Sequence, residues 1–196
     1  MISAERLREG VRRAYSLAAK EPERKHPFPV GRQFAESLGY PRALLCTLPP
    51  VAIDAFSGVS NVGVCAEIQE GNRVLDLGCG AGLDTLIAAQ RVGPRGKAIG
   101  IDFSEAMLAR ARQAADEITA RNIHLCHASG ERLPLRDGCI DRVLVNGIFN
   151  LNPYREAIYR EVARVVHPGG RAYVAELILT QPLPRETRIT EDDWFA

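Results

Sequence analysis

Residues Val74 to Gly82 read Val-Leu-Asp-Leu-Gly-Cys-Gly-Ala-Gly. An apolar run carries one acid, Asp76, and then turns through glycines at alternate positions, Gly78, Gly80 and Gly82. A lone carboxylate inside an aliphatic strand is costly unless a polar partner meets it. Glycines at this density let the backbone turn sharply and approach a ligand that a Cβ would exclude. Leu83 to Arg91 reads as the helix that leaves the turn. Strand, glycine turn and helix N-terminus together frame a nucleotide-sized pocket.

Outward from that stretch the chain alternates strand and helix. Strands are expected at 73–77, 97–101, 122–127, 140–145 and 171–177, and helices at about 83–91, 104–120 and 154–165. Ser104 is placed to cap the second of these helices, with Glu105 in its first turn. His167-Pro168-Gly169-Gly170 reads as a stop and turn between the last helix and the last strand. Strands separated by helices predict a parallel sheet covered on both faces with right-handed crossovers. The expected fold is therefore α/β, a Rossmann-like doubly wound and mainly parallel sheet of order 3-2-1-4-5. Before it, Leu7, Val11, Ala14 and Ala18 recur at helical spacing after Ser3, which predicts one amphipathic helix over 4–20. Prolines at 22, 27 and 29 interrupt the chain, and shorter helical pieces follow from Arg32 onward. Residues 1–70 form a helical cap of the same domain, and 71–196 the core. The end of the chain is expected to be short or truncated: Pro182, Pro184 and a charged run leave no room for a further hairpin. An uncovered sheet edge would suit a partner subunit, so a homodimer is an open expectation.

Bulk properties remove several classes of function. A chain of 196 residues can bury a sizeable core, and 46% hydrophobic with 25% charged residues is ordinary for a globular protein. A formal net charge of +1 gives no long-range attraction to nucleic acid or anionic lipid, and no basic stripe is present. No apolar run approaches a membrane span, and the charged N-terminus is unlike a signal peptide. The five cysteines are widely spaced, without a C-x-x-C pair. That spacing predicts reduced thiols in a cytoplasmic protein and no metal site.

Open α/β sheets bind ligands beyond the carboxyl ends of their strands. Asp76 with Gly78, Cys79, Gly80 and Gly82 follows the first strand. Asp102, with Phe103 beside it, closes the second, 20 residues past Gly82, a spacing suited to accepting ribose hydroxyls. Ser129, Gly130 and Glu131 follow the third, placed to border an adenine. A dinucleotide site would want glycine where Leu83 stands, and Asp76 would repel a pyrophosphate. S-adenosylmethionine, with adenine, ribose, an ammonium, a sulfonium and no phosphate, suits this acid-rich turn better. The bland alternative is a structural turn in which Asp76 caps backbone N–H groups.

Val74–Gly82, Gly100-Ile101-Asp102, Glu131-x-Leu133-Pro134 and Pro168-Gly169-Gly170 together resemble class I S-adenosylmethionine-dependent methyltransferases, over Asn72 to Leu179. Within them the chain is similar to the quinone-type (UbiE-like) enzymes. It resembles the bacterial arsenite methyltransferases more closely, through Leu38-Gly39-Tyr40, Leu48-Pro49, Asn61, Gly71–Ala89, Val92-Gly93-Pro94, Gly96-Lys97 and Asn146–Pro153. The resemblance implies a methyl transfer from S-adenosylmethionine, leaving S-adenosylhomocysteine, to a small-molecule acceptor. It also implies a cap tyrosine, matched by Tyr15, closing over the cofactor. Two positions depart from the arsenite pattern: Val59 and Gly147 stand where that family has arsenic-binding cysteines, and a third such cysteine would fall just after Ala196. Neither residue can ligate a soft metalloid.

Three functional expectations follow. The first is a methyltransferase acting on a neutral or partly hydrophobic small molecule. The second is an arsenite methyltransferase using the unaligned Cys46 and Cys65. The third is a cofactor-binding protein without transfer activity. Asn146, Phe149 and Asn150, at the end of the fourth strand, are candidate catalytic residues, and Asn146 also a cofactor contact; an Asn-rich turn capping the next helix is the alternative. His127 reads as a partly buried structural histidine, and Glu176 as a candidate acceptor of a substrate proton.

Overall fold

The computed structural model describes residues 3–181. The cap begins with α1 (Ala4–Lys20), whose first turn is capped by the Ser3 hydroxyl accepting from the Arg6 N–H. Four short helices follow: α2 (Arg32–Ser37), α3 (Arg42–Leu45), α4 (Pro50–Asp54) and α5 (Val62–Cys65). The core then alternates β1 (Arg73–Leu77), α6 (Leu83–Val92), β2 (Lys97–Asp102), α7 (Glu105–Glu117), β3 (Ile123–His127), β4 (Ile140–Asn146), α8 (Arg155–Val165) and β5 (Val166–Ala175). The five strands pair in parallel in the order β3-β2-β1-β4-β5. This order reverses between β1 and β4, which opens a crevice at the carboxyl ends of β1, β2 and β4.

Each strand's composition explains its place. Central β1 is buried along Val74–Leu77, as a strand covered on both faces must be, and β4 buries Val143–Val145. One face packs Leu75, Leu77, Ile101 and Val145 against α8 through Ile158, Val162 and Val165. The other face meets α6, whose Leu83, Leu86 and Ile87 join cap residues Tyr40, Leu45, Leu48, Ile53 and Phe56 in a single cluster. Cap and core therefore share apolar contacts instead of meeting across a wet seam. Polar ties reinforce this: Arg110 of α7 donates to the Ala19 and Val51 carbonyls, and Arg91 of α6 to those of Gly63 and Val64. Such bonds satisfy carbonyls that short helices leave unpaired.

One expected element differs. The His167–Gly170 segment is not a turn ahead of β5 but part of the strand itself. Ile140 pairs with Val166, yet Arg142 pairs with Arg171, so the ladder absorbs the surplus residues as an irregularity. Gly169, at φ 89°, supplies the left-handed kink. A Cβ at Gly170 would lie 2.7 Å from Val166 Cγ1, which explains the second glycine. The strand accordingly starts at Val166 and ends at Ala175, short of the expected residue 177. Beyond it Leu177, Ile178 and Leu179 are exposed. The segment read as a short chain end, including Pro182 and Pro184, lies outside the described residues. Among the described residues no helix is long and apolar enough to cross a membrane.

Candidate functional site

The crevice is a cleft of about 1070 Å³ of empty space, counting its open mouth, lined from four strand ends and the cap. Asp76, Gly78, Cys79, Gly80, Asp102, Ser129, Gly130, Glu131, Asn146 and Tyr15 all line it, together with Phe103. Residues separated by more than a hundred positions in sequence thus meet in one concavity.

The glycine turn is shaped for close approach. Gly78, Gly80 and Gly82 all have positive φ, at 74°, 54° and 92°. A Cβ at Gly78 would meet Ile148 Cγ2 at 2.3 Å, so the backbone there runs tight beneath the cleft floor. Gly82 caps α6 without a side-chain hydrogen bond, and it does not itself line the cleft. Its contribution is the entry angle of the helix.

Three aspartates gather at this end. Asp102 Oδ2 accepts from the Gly80 N–H at 2.9 Å and Oδ1 from the Ser104 N–H at 2.7 Å. The tip of β2 is thereby tied to the glycine turn. Asp76 Oδ2 accepts from the Thr85 hydroxyl at 2.5 Å, a bond from the strand to the first turn of α6. Asp84, which the sequence reading passed over, is the third. Its Oδ1 accepts from the Tyr40 hydroxyl at 2.7 Å and the Gly63 N–H at 3.0 Å, and its Oδ2 from Asn146 Nδ2 at 3.0 Å. An acid one residue inside a helix after a glycine turn was the available signal; its partners lie too far off in sequence to be inferred.

Burial raises all three carboxyls above the usual range. Asp76 is pushed up to about 8, first by desolvation and then by the neighbouring Asp84 charge, against the Thr85 hydrogen bonds. Asp84 and Asp102 are raised mainly by desolvation, opposed by their hydrogen-bond donors. Burial likewise pushes the Cys79 thiol well up, so this cysteine packs and is not a nucleophile at neutral pH.

At the opposite end of the cleft, Arg8 reaches across from α1. It donates to Ser129 Oγ at 3.2 Å, pairs with Glu131 Oε1 at 3.3 Å, and lies over the Tyr154 ring. Asn152 Nδ2 also donates to Glu131 Oε1 at 2.9 Å. Glu131 Oε2 is buried without a hydrogen-bond partner, an acceptor left open beside the cleft. Tyr15 lies stacked on Phe28 at 4.5 Å between ring centres, and Phe103 packs in the same cluster.

The strand-four residues part company. Asn146 enters the cleft and clamps the cap: its Oδ1 accepts from the Val59 and Ser60 N–H groups, and its Nδ2 donates to the Ser60 carbonyl. Phe149 turns inward, 2% exposed and stacked on Tyr159 at 4.1 Å. Asn150 is exposed and donates to the Leu177 carbonyl. Neither lines the cleft. Glu176 accepts the Phe149 N–H at 2.7 Å and the Asn150 N–H at 3.4 Å, the work of a turn brace. His127 is exposed rather than half-buried, with Nε2 at 2.9 Å from the Phe103 carbonyl, because β3 is an edge strand. Val59 and Gly147 are neighbours: a Cβ at Gly147 would lie 3.2 Å from Val59 Cγ1. Cys46 and Cys65 are both exposed, and Cys65 Sγ donates to Asn61 Oδ1.

Comparison with known proteins agrees with this geometry. Residues 68–194 match the family model described as a methyltransferase domain. An arsenite methyltransferase of Halobacterium salinarum is 33% identical over 158 residues, 81% of this chain and 40% of that protein. A demethylmenaquinone methyltransferase of Bacillus cereus is 33% identical over 111 residues, covering 56% of this chain and 46% of the relative. The chain thus spans less than half the length of these curated relatives. Among solved structures, an arsenic(III) S-adenosylmethionine methyltransferase from Chlamydomonas reinhardtii superposes with a TM-score of 0.61 at 28% identity, over 78% of this chain and 50% of that one. From strand order, glycine turn and relatives together, the chain belongs to the family of S-adenosylmethionine-dependent methyltransferases.

Proposed function

We propose that this chain binds S-adenosylmethionine in the cleft and transfers its methyl group to a neutral, partly hydrophobic small molecule. The observation that carries the reading is the convergence of Asp76, Asp102 and Glu131, from three adjacent strand ends, on one cleft floored by a glycine turn. The residues present fit the cofactor. Asp76 and Asp84, whose partners are hydrogen-bond donors and not cations, suit an ammonium and a sulfonium, and the open Glu131 Oε2 suits a donor such as an exocyclic amine. Asp102 would hold the ribose hydroxyls, Asp76 with Gly78 and Gly80 the amino-acid end, and Ser129 to Glu131 the adenine edge.

The bound cofactor supplies a methyl group already activated on a positively charged sulfur. The protein's share is then orientation and exclusion of water, which in favourable cases is worth on the order of 7–11 kcal/mol. Tyr15 and Phe56 of the cap, with Ile148 and Leu151 from the segment after β4, give the cleft apolar walls. Tyr15 stays protonated, because burial drives its phenol above its ordinary range, so it can donate a hydrogen bond but not take a proton. Glu176 is committed to two backbone amides. A site of this kind handles an acceptor that needs no strong base.

Calorimetry with S-adenosylhomocysteine tests the cofactor site, and turnover against quinols, phenols, thiols and arsenite tests the acceptor. Methylation of a neutral organic acceptor supports the reading. Turnover of arsenite alone, lost in Cys46→Ser or Cys65→Ser, would replace it with the arsenite methylation for which the Halobacterium relative is named.

A further inference from the structure

Two carboxylates of the cleft stand together with no counter-charge. Asp84 is held by three donors, the Tyr40 hydroxyl, the Gly63 N–H and the Asn146 amide, all of which favour its ionised form. Asp76 is met by Thr85 of the same helix. The other ionisable groups acting on this pair are acidic: Asp102 from β2, Cys79 from the glycine turn and Tyr40 from the cap. β4 contributes the neutral Asn146, and α1 contributes Tyr15 at the cleft wall. Arg8, also of α1, is engaged with Ser129 and Glu131 at the far end. Arg91 of α6 is engaged with the Gly63 and Val64 carbonyls, and the groups that act most strongly on Asp76 and Asp84 include no cation. Two buried carboxylates that share one low-dielectric site cannot both stay charged without compensation.

We propose that Asp76 holds a proton in the ligand-free protein and releases it when an ammonium or sulfonium ligand enters beside the Asp76–Asp84 pair. The inference rests on the cofactor reading above and adds to it a proton linkage that favours ligands of positive charge. The balance is simple. The O–H bond of the Asp76 carboxyl breaks, the proton passes to the buffer, and the carboxylate keeps the ligand's cation as its partner. No electron moves. Its titration near neutrality follows from burial beside a charged neighbour. Thr85 acts as a positioning residue, since its hydroxyl stabilises the ionised Asp76.

The test is calorimetric titration of the full chain with S-adenosylhomocysteine from about pH 5.5 to about pH 7.5, where the ligand amine stays protonated. Buffers of contrasting ionisation enthalpy count the protons. Binding should tighten with rising pH, approaching about tenfold per unit, with close to one proton released per ligand near the acid end. Thr85→Val should move this rise to higher pH, an effect that simple loss of packing would not produce. Asp76→Asn should bind with a flat pH profile and release no proton. Binding that is flat with pH and releases no proton in the unaltered chain overturns the linkage while leaving the cofactor reading intact. Release that persists in Asp76→Asn assigns the proton elsewhere and overturns it as well. If Asp76→Asn does not fold, the Thr85→Val displacement decides, and an unmoved profile counts against the proposal. Absence of binding at every pH overturns the cofactor reading and the linkage with it.

Discussion

The same sheet carries aspartates at both of its ends, and they are treated in opposite ways. At the amino end, Asp141 of β4 accepts from the Arg73 N–H at 2.6 Å and pairs with the Arg73 guanidinium and His167. These partners outweigh its partial desolvation and hold its carboxyl below the usual range. At the carboxyl end, Asp76 and Asp84 have hydrogen-bond donors but no cation, and burial raises both. Asp141 finds its counter-charge inside the fold and so braces it. The cleft acids lack one, which costs stability and leaves the site ready for a positive ligand. Perturbed carboxyls in a concavity are a functional signature for this reason, whereas a paired one at the amino end of the sheet, such as Asp141, is structural.

The largest effect that would sharpen this contrast is in pH. For Asp76, whose folded-state value lies above the unfolded one, the unfolded chain loses its proton first. Its stabilising contribution is complete below about pH 4 and disappears as pH rises toward about 8, by at most about 1.4 kcal/mol per unit. For Asp141 the sign reverses: its contribution is present above the unfolded value near pH 4 and is lost as pH falls through the lower folded one. Urea midpoints of the ligand-free chain should therefore fall between about pH 5 and about pH 8. Asp76→Asn should flatten that limb and leave the acid limb in place. A midpoint that climbs over this interval would break the comparison.

Asp102→Ala comes next. Loss of hydrogen bonds to a charged acceptor is expected to weaken S-adenosylhomocysteine binding by about 1.5–3 kcal/mol, read by calorimetry. Unchanged affinity would remove Asp102 from the site. Asp141→Ala should show the converse, with about 1 kcal/mol less stability and unaltered ligand affinity. Arg8→Ala is the mildest. Its ion pair with Glu131 is partly exposed, so affinity should drop by about 0.5 kcal/mol, seen mainly as faster ligand release in stopped flow.

How much of this was legible beforehand depends on the range of the interaction. Asp102 could be placed because a strand end 20 residues past a glycine turn lands beside it by local geometry alone. Phe149 could not: one turn of chain decides whether an aromatic beside two asparagines faces a cleft or stacks on Tyr159. The His167-Pro168-Gly169-Gly170 run reads as a turn ahead of the last strand, yet the structure builds it into that strand as a bulge. Which of the two it becomes depends on the β4 ladder alongside.

The amino-acid order by itself determined the alternation of strands and helices, the parallel sheet and the glycine turn, because periodicity and backbone freedom are properties of short segments. Only the tertiary structure decided that Tyr40, Asp84 and Asn146 form one buried node, and that Arg8 closes on residues more than a hundred positions away. Hydrogen bonds and charges act over a few ångströms in space. Which polar side chains come that close is settled by how the apolar faces of the cap and helices pack, and a linear pattern does not record it.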